Sequence, residues 1–208
     1  MAIAYVLICL AVVIYNYKAI PNAIVGIIQS AFGIKAAAGG ALGTMLIAMQ
    51  KGVNEEYKGM GTTIEVLAFV DNAVIFAHVG DSRIALIRNG EYKQLTNDHS
   101  LVNALIKAGQ LTEEEAAVHP QRNIITQSIG QAAPIEADLG VQQLEPGDYI
   151  LANSDGLTNM ISVEQIVHIV NSPGFVEEKT SRLVAAANEA GGHDNITVAL
   201  IKIESEEG

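Results

Sequence analysis

The sequence changes character near Asn54, and this change limits what the chain is able to fold into. Residues 2–15 are apolar and carry no charge, and after Lys18 and Pro21 the apolar character resumes as far as Ile28 and again from Ala31 to Met49. A membrane-spanning helix requires about 20 apolar residues, and the apolar core of a signal peptide requires about 7–15. We therefore expect residues 1–53 to form apolar helices that associate with a membrane through residues 2–49. A buried helix of a soluble protein is the alternative.

The charge balance narrows the class of partner. The 208 residues include 23 Asp and Glu against 12 Lys and Arg, which gives a formal net charge of −11. Binding to phosphate backbones requires a basic surface, so the composition argues against nucleic acid as a partner. Cys9 is the only cysteine, and an internal disulfide is therefore excluded.

Residues 54–208 are interpreted as a separate domain that begins with β-hairpins. The apolar, β-branched runs 64–70 and 73–79 flank Asp71-Asn72, and two further runs flank Asn89-Gly90. Asn-Gly between such runs is the strongest short-range signal for a hairpin. Three or four antiparallel strands in succession are therefore expected.

Helices and later strands follow these hairpins. Thr112 with Glu115, and Ser162 with Gln165, have the spacing of residues that cap a helix, and residues 176–190 carry a third helical pattern. Strands are expected over 139–144, 148–152 and 196–203. Strands in blocks and helices in pairs favour an α+β sandwich over a doubly wound parallel sheet.

Three acidic residues stand in small-residue turns beside strand-like runs, namely Asp81, Asp155 and Asp194. Carboxylates that leave room for water are the ligands that proteins use for Mg²⁺ or Mn²⁺. The five histidines lack the spacing of a zinc site. A pair of divalent ions that holds hydroxide is able to attack phosphorus without a protein nucleophile. Loop carboxylates that only cap turns are the alternative.

Six motifs in a fixed order resemble those of the bacterial metal-dependent PPM-type (type 2C) serine/threonine protein phosphatases. They are Gly59-Met-Gly-Thr-Thr63, His78-Val-Gly-Asp-Ser-Arg83, Leu95-Thr-Asn-Asp-His-Ser100, His119-Pro-Gln-Arg-Asn123, Asn153-Ser-Asp-Gly-Leu157 and Gly192-His-Asp-Asn-Ile-Thr197. The resemblance implies an αββα sandwich that binds two or three Mn²⁺ or Mg²⁺ ions and hydrolyses phosphoserine and phosphothreonine.

The resemblance also assigns roles to individual residues. Asp155 and Asp194 match metal ligands of the family, and Asp98 is similar to the residue that helps to hold a third, looser ion. No side chain is assigned a catalytic role beyond the metal-bound water. Five residues are assigned to support of the site: Asp81, Ser82, Arg83, Gly156 and Asn195. His119 and Arg122 lie in the region that resembles the family's flap, and they are the candidates for substrate contact.

The first motifs of the family are missing from the sequence. Family members begin with an Arg that grips phosphate, a Glu-Asp pair and an Asp-Gly-Met-Gly-Gly turn, and residues 19–53 instead resemble a fragment of sodium:alanine symporters. The expected partners are phosphorylated proteins that a serine/threonine kinase supplies. The domain is expected in the cytoplasm, either membrane-tethered or free. An inactive phosphatase-like binding or regulatory module and a truncated fusion product are the alternatives.

Overall fold

A computed structural model describes residues 5–9, 62–129 and 135–205. The chain divides into two compact units. Unit 1 comprises residues 1–81 and 97–142, and unit 2 comprises residues 82–96 and 143–208. Each unit is built on one four-stranded sheet, so the expected mixture of strands and helices is confirmed.

The sheet of unit 1 has the order β1-β2-β3-β6. Its strands are β1 (Tyr5–Cys9), β2 (Ile64–Val70), β3 (Ala73–Val79) and β6 (Asp138–Gln143). β2 and β3 form the hairpin that the sequence predicted, and Asp71 in its turn has a φ of 51°. The core of this unit includes Ile64, Val66, Ile75, Ala77, Val79, Ile129 and Ile135.

The prediction of a helix over the first apolar run is wrong for five of its residues. Tyr5–Cys9 form β1, which pairs antiparallel with β2, and Cys9 lies opposite Glu65. A β2 edge left without a partner would expose a row of unpaired backbone groups, and pairing with an apolar, uncharged segment removes that cost. The rest of residues 1–53 lies outside the described residues. Among the helices that the structure describes, none is long and apolar enough to cross a membrane.

Two short helices complete the described part of unit 1: α1 (Leu101–Lys107) and α2 (Glu113–Ala117). Ser100 accepts a hydrogen bond from the Asn103 N–H at the start of α1. Thr112 and Glu115 form the reciprocal capping box that the sequence predicted for α2. These caps satisfy backbone N–H groups that the first turn of a helix leaves free.

The sheet of unit 2 has the order β5-β4-β7-β8, and all of its pairs are antiparallel. Its strands are β4 (Arg83–Arg88), β5 (Glu91–Gln94), β7 (Tyr149–Asn153) and β8 (Val198–Lys202). Its helices are α3 (Asp155–Thr158), α4 (Val163–Asn171) and α5 (Val176–Glu189). The predicted hairpins therefore belong to different sheets, because β2 and β3 are in unit 1 and β4 and β5 are in unit 2.

The core of unit 2 forms where the helices cover the sheet. Ile166 and Val170 of α4, together with Leu183 and Ala187 of α5, are fully buried against strand residues such as Leu151. The 3.6-residue period of both helices places these side chains on one face. Val163, the first residue of α4, is apolar but is not part of this buried face, and its side chain is 39% exposed.

An ion pair between Arg88 and Asp148 joins β4 to the turn before β7. Arg88 Nε and Nη2 donate to the two oxygens of Asp148 at 2.8 and 2.6 Å, and Asp148 is 2% exposed. Asp148 also accepts from the backbone N–H of Glu145 at 2.8 Å. Burial alone would raise the pKa of Asp148, but the hydrogen bonds from Arg88 and Glu145 outweigh it and lower the pKa. The charged form of Asp148 is therefore stabilised in the folded state.

We expect Asp148→Asn to lower the free energy of unfolding at pH 7 by about 2 kcal/mol, because a buried charge-assisted pair is broken. The folded pKa of Asp148 lies below its unfolded value of about 3.9, so its contribution is present above that pH and is lost as the pH falls through the folded pKa. Urea unfolding at pH 7 and below pH 4 measures both effects. The difference between variant and parent should shrink in acid.

Glu145→Gln is the matched control. Glu145 contacts the same guanidinium at 2.9 Å, but its side chain is 67% exposed. Exposed ion pairs contribute less than about 1 kcal/mol, so this variant should unfold nearly as the parent does. Equal losses for the two variants would contradict the role assigned to Asp148.

Candidate functional site

Asp155 stands where β7 ends, as the first residue of α3. The sequence allowed a plain turn here, but the structure has one turn of helix, and Asp155 is half-buried. Asn159 Nδ2 donates to Asp155 Oδ2 at 3.0 Å. The carboxylate is therefore held from its own helix. A carboxylate in the first helical turn is also favoured by the helix dipole.

Ser154 ties the end of β7 to the loop that carries Asp194. Its backbone N–H donates to the carbonyl of Thr197 at 3.0 Å, and its Oγ accepts from the N–H of Thr197 at 3.0 Å. The same Oγ donates to the carbonyl of Asn195 at 3.0 Å. Three bonds through one residue thus hold residues 195–197 beside Asp155.

Gly156 permits the close approach of these two segments. A Cβ placed on Gly156 would lie 2.4 Å from the backbone oxygen of Asn195, which is closer than real Cβ contacts. No side chain is therefore tolerated there without moving the backbone. The resemblance assigned Gly156 and Asn195 to support of the site; the structure shows that the two residues lie close together, and their role stays a prediction.

Asp155 and Asp194 are close enough to affect each other. Burial raises the pKa of Asp155, and the negative charge of Asp194 raises it further, whereas the Gly156 N–H, Arg83 and Asn159 oppose the change. Like charges that face each other are unfavourable, and a divalent cation between them would remove the repulsion.

The oxygen atoms of Asp155, Asp194 and Asn153 supply some of the ligands that a hard cation requires. Carboxylate oxygens are the ligands that Mg²⁺ and Mn²⁺ prefer. The Oδ1 atom of Asn153, at the end of β7, is buried and accepts no hydrogen bond within the described residues. Unit 2 therefore offers the carboxylates of Asp155 and Asp194 and the unsatisfied oxygen of Asn153, which stands two residues before Asp155. Across residues 5–9, 62–129 and 135–205, however, no group of three or more His, Cys, Asp or Glu side chains is placed to hold a metal ion.

The motif that contains Asp81 spans the boundary between the units. Arg83 begins β4 and lies opposite Asn153 of β7, which places it at the same end of the sheet as Asp155. Ser82 is buried, with 2% of its surface exposed. Asp81 follows β3 in unit 1 and is half-buried.

The remaining predicted site residues belong to unit 1. Asp98 lies in the segment before α1, where its side chain is half-buried. His119 and Arg122 occupy the turn after α2, in which the N–H of Arg122 donates to the carbonyl of His119 at 3.1 Å. His119 Nδ1 accepts from the N–H of Gln121 at 3.1 Å, and Arg122 is exposed.

Among the predicted site residues, the structure brings five together in unit 2, namely Asp155, Asp194, Gly156, Asn195 and Arg83.

Sequence reasoning missed Ser154 and Asn159, which hold the carboxylate and its neighbouring loop. Asn159 stands four residues after Asp155, which is the spacing of neighbours on a helix face, so a helix over 155–158 would have revealed it. The bonds of Ser154 join segments about 40 residues apart, and no local pattern signals them.

Comparison with solved structures identifies the protein family to which the chain belongs. The serine/threonine phosphatase of Streptococcus agalactiae is similar to it, with a TM-score of 0.77 and 50% identity over 88% of this chain and 79% of that protein. The catalytic domain of the phosphatase PstP, solved in complex with two manganese ions, has a TM-score of 0.72 and 29% identity over 88% and 80% of the two chains. The chain belongs to the PPM family of serine/threonine phosphatases.

A curated relative agrees with this assignment. A putative protein phosphatase 2C-type of Streptococcus pyogenes is 62% identical over 156 residues, which are 75% of this chain and 63% of that protein. The chain therefore spans less than two thirds of the length of the curated relatives it matches.

The first part of the chain is similar to a different family. The model of the sodium:alanine symporter family matches residues 1–75. The symporter-like fragment predicted over residues 19–53 lies within this match. The match also covers β1 and β2, which are strands of unit 1.

We expect Ser154→Ala to lower the free energy of unfolding by about 1–2 kcal/mol, because it removes both hydrogen bonds of the hydroxyl. It should also weaken Mn²⁺ binding, since only the backbone bond from residue 154 to Thr197 would then tie the loop with Asp194 to the end of β7. Thermal unfolding and calorimetric titration with Mn²⁺ measure the two effects.

Ser162→Ala is the control for this variant. Ser162 caps α4 in the same unit by accepting from the Gln165 N–H, and its loss costs about 1 kcal/mol. A similar loss of stability without a loss of Mn²⁺ affinity is expected. Weakened Mn²⁺ binding in both variants would show that stability alone controls the affinity.

Proposed function

We propose that this chain hydrolyses phosphate esters of serine and threonine on proteins, with Mn²⁺ or Mg²⁺ as its cofactor. The observation that carries the proposal is the pair Asp155 and Asp194, held together through Ser154 in a chain of the PPM family. The manganese ions of the related PstP domain support the choice of metal.

Each candidate residue has a place in this proposal. Asp155 and Asp194 would hold the tighter ions, and Asp98 would help to hold a third, looser ion. When bound, such ions supply an activated water and neutralise charge on phosphate. Gly156, Asn195 and Ser154 keep the two carboxylates near each other, and Asp81, Ser82 and Arg83 are proposed to support the site.

The substrate class follows from the same family membership. Phosphorylated proteins, made by a serine/threonine kinase, are the proposed substrates and partners, and a net charge of −11 does not favour nucleic acid. His119 and Arg122 lie in an exposed turn of unit 1, and they are proposed to contact the substrate. An Arg guanidinium suits a phosphate because it donates two parallel hydrogen bonds.

The arrangement of the chain in the cell is part of the proposal. The phosphatase-like domain, residues 54–208, is proposed to form the family's αββα sandwich and to act in the cytoplasm. Apolar residues between 2 and 49 are proposed to associate with a membrane. Tyr5–Cys9 are excepted, because their backbone pairs with β2.

A second candidate is a phosphoprotein-binding module without turnover. It is favoured by the finding that the described residues hold no group of three metal-ligating side chains. Two carboxylates bind a divalent ion less tightly than three or four do. Such a module would bind phosphothreonine peptides and leave them intact.

Phosphate release from a phosphothreonine peptide, titrated with Mn²⁺, tests the proposal. Release by the full chain should rise with Mn²⁺ and stop when the metal is chelated. Asp155→Asn and Asp194→Asn should each reduce release by about 100-fold or more, since even partners of metal ligands are worth about 10–100-fold.

Asp71→Asn is the matched control. Asp71 is an exposed turn residue with a φ of 51°, a conformation that Asn tolerates well. This variant should release phosphate at the parent's rate. A folded parent chain that binds the peptide without turnover at any Mn²⁺ concentration would support the binding module instead. A parent chain that does not fold would support a truncated fusion product.

A further inference from the structure

Unit 1 contains a buried acid–imidazole pair that the proposed hydrolysis does not use. Glu65 of β2 and His78 of β3 lie opposite each other in the antiparallel register, and their side chains are 2% and 0% exposed. Glu65 Oε1 is 3.1 Å from His78 Nδ1. Burial raises the pKa of Glu65, although His78 opposes this effect. Two apolar side chains would fill the same space without a desolvation cost, so the pair requires another explanation.

The second ring nitrogen of His78 contacts the segment that carries Asp98. His78 Nε2 is 3.0 Å from the backbone oxygen of Asn97. A carbonyl oxygen only accepts, so Nε2 carries the proton. In a neutral ring, Nδ1 then accepts a hydrogen bond from the protonated Glu65 carboxyl; in a cationic ring, Nδ1 donates a hydrogen bond to the Glu65 carboxylate. In both states the pair is neutral overall, and His78 presents an N–H to Asn97.

Hydrogen bonds hold both peptide planes that flank the Cα atom of Asp98. The first plane contains the carbonyl of Asn97, which His78 binds. The second contains the carbonyl of Asp98, which accepts from Asn103 Nδ2 at 2.6 Å, and the N–H of His99, which donates to the carbonyl of Gly80 at 2.7 Å. Because a peptide unit is rigid, these bonds fix both backbone dihedral angles of Asp98.

His99 strengthens the second plane through its ring. Its Nδ1 accepts from the N–H of Gly80 at 3.2 Å, and its Nε2 is 3.5 Å from Asp138 Oδ2. The ring centroids of His99 and His78 are 4.9 Å apart. The segment on either side of Asp98 is thus anchored to β3 and to Gly80, which follows β3, and His78 is the anchor on the amino-terminal side.

We propose that Glu65 and His78 are positioning residues that fix the backbone at Asp98 and thereby aim its carboxylate at the looser metal ion. The binding of an ion by Asp98 rests on the proposed function. The fixed backbone conformation at Asp98 rests only on the contacts of Asn97, Asp98 and His99. A segment that was not held would have to become ordered whenever the ion bound, and that entropy cost would lower the affinity.

Two substitutions of His78 separate positioning from simple packing. The amide nitrogen of Gln takes the place of Nε2, so His78→Gln keeps the donor to Asn97 and loses the contact with Glu65. The amide of Asn takes the place of Nδ1, so His78→Asn keeps the contact with Glu65 and loses the donor to Asn97. Each variant therefore retains one of the two hydrogen bonds that the His78 ring makes and loses the other.

Amide hydrogen exchange and calorimetric Mn²⁺ titration provide two readouts that need no turnover. In His78→Asn, exchange at residues 98–100 should be faster by about 10-fold, because the local opening is easier. The dissociation constant of the weakest Mn²⁺ site should rise by about 10–100-fold. His78→Gln should retain the parent's values for both. Exchange across β7 and β8 of unit 2 should be the same in all three chains.

Specific results would overturn the proposal. Equal changes in the two variants, or a His78→Asn chain with the parent's exchange at residues 98–100, would show that His78 only packs. Faster exchange with unchanged Mn²⁺ affinity would remove the link to the ion. A parent that binds Mn²⁺ but releases no phosphate would contradict the proposed hydrolysis and leave the positioning result intact.

A measurement on the unsubstituted chain covers the case in which a variant fails to fold. Nitrogen-15 chemical shifts report which ring nitrogen of His78 carries a proton. A protonated Nε2 is expected, together with a hydrogen-bonded Nδ1. An unprotonated Nε2 would overturn the proposal, since the carbonyl of Asn97 has no proton to give.

Discussion

The register of β7 between β4 and β8 is the constraint on which the candidate site depends. Asn153, the last residue of β7, lies opposite Arg83 on one side and Val198 on the other. Three stretches that are far apart in sequence therefore end at the same edge of one sheet. A slip of one residue would turn every side chain of β7 to the other face and would separate Asp155 from Asp194.

Ser154 holds the loops at this edge of the sheet in contact with each other. A β-ladder places backbones about 5 Å apart, which does not by itself bring two loops into contact. The hydroxyl of Ser154 accepts from one loop residue and donates to another, and Gly156 removes the side chain that would keep the loops apart. In unit 2, Ser154 and Gly156 therefore bring the carboxylates of Asp155 and Asp194 near each other. Repulsion between the two charges lowers the stability of the fold, but the same arrangement suits the binding of a cation.

Much of the fold was predictable because its signals are local. The turn at Asp71-Asn72, the turn at Asn89-Gly90 and the capping box at Thr112 all lie within a few residues of the elements they define, and each is present as expected. The two acidic loops of unit 2 were also identified, since a carboxylate after an apolar run is visible in the sequence. The metal role of these residues stays a prediction, as does that of Asp98.

The signals that failed depend on distant partners. A charge-free apolar run is equally compatible with a helix and with a buried strand, and the pairing of Tyr5–Cys9 with β2 decides for the strand. No local sequence pattern indicates that two successive hairpins belong to different sheets. Glu65 was not recognised, because one acidic residue in an apolar strand gains meaning only from the histidine that lies opposite it in the hairpin.

The long separation between β1 and β2 has a consequence for the order in which unit 1 forms. Cys9 pairs with Glu65, whereas Val70 pairs with Ala73 across a two-residue turn. Closing a short turn costs little chain entropy and takes microseconds, while a contact between distant residues waits for a rarer encounter. We therefore expect the β2–β3 hairpin to form first and β1 to pair with its edge afterwards. Until β1 arrives, an open strand edge is accessible to other chains, so assembly of this sheet competes with aggregation.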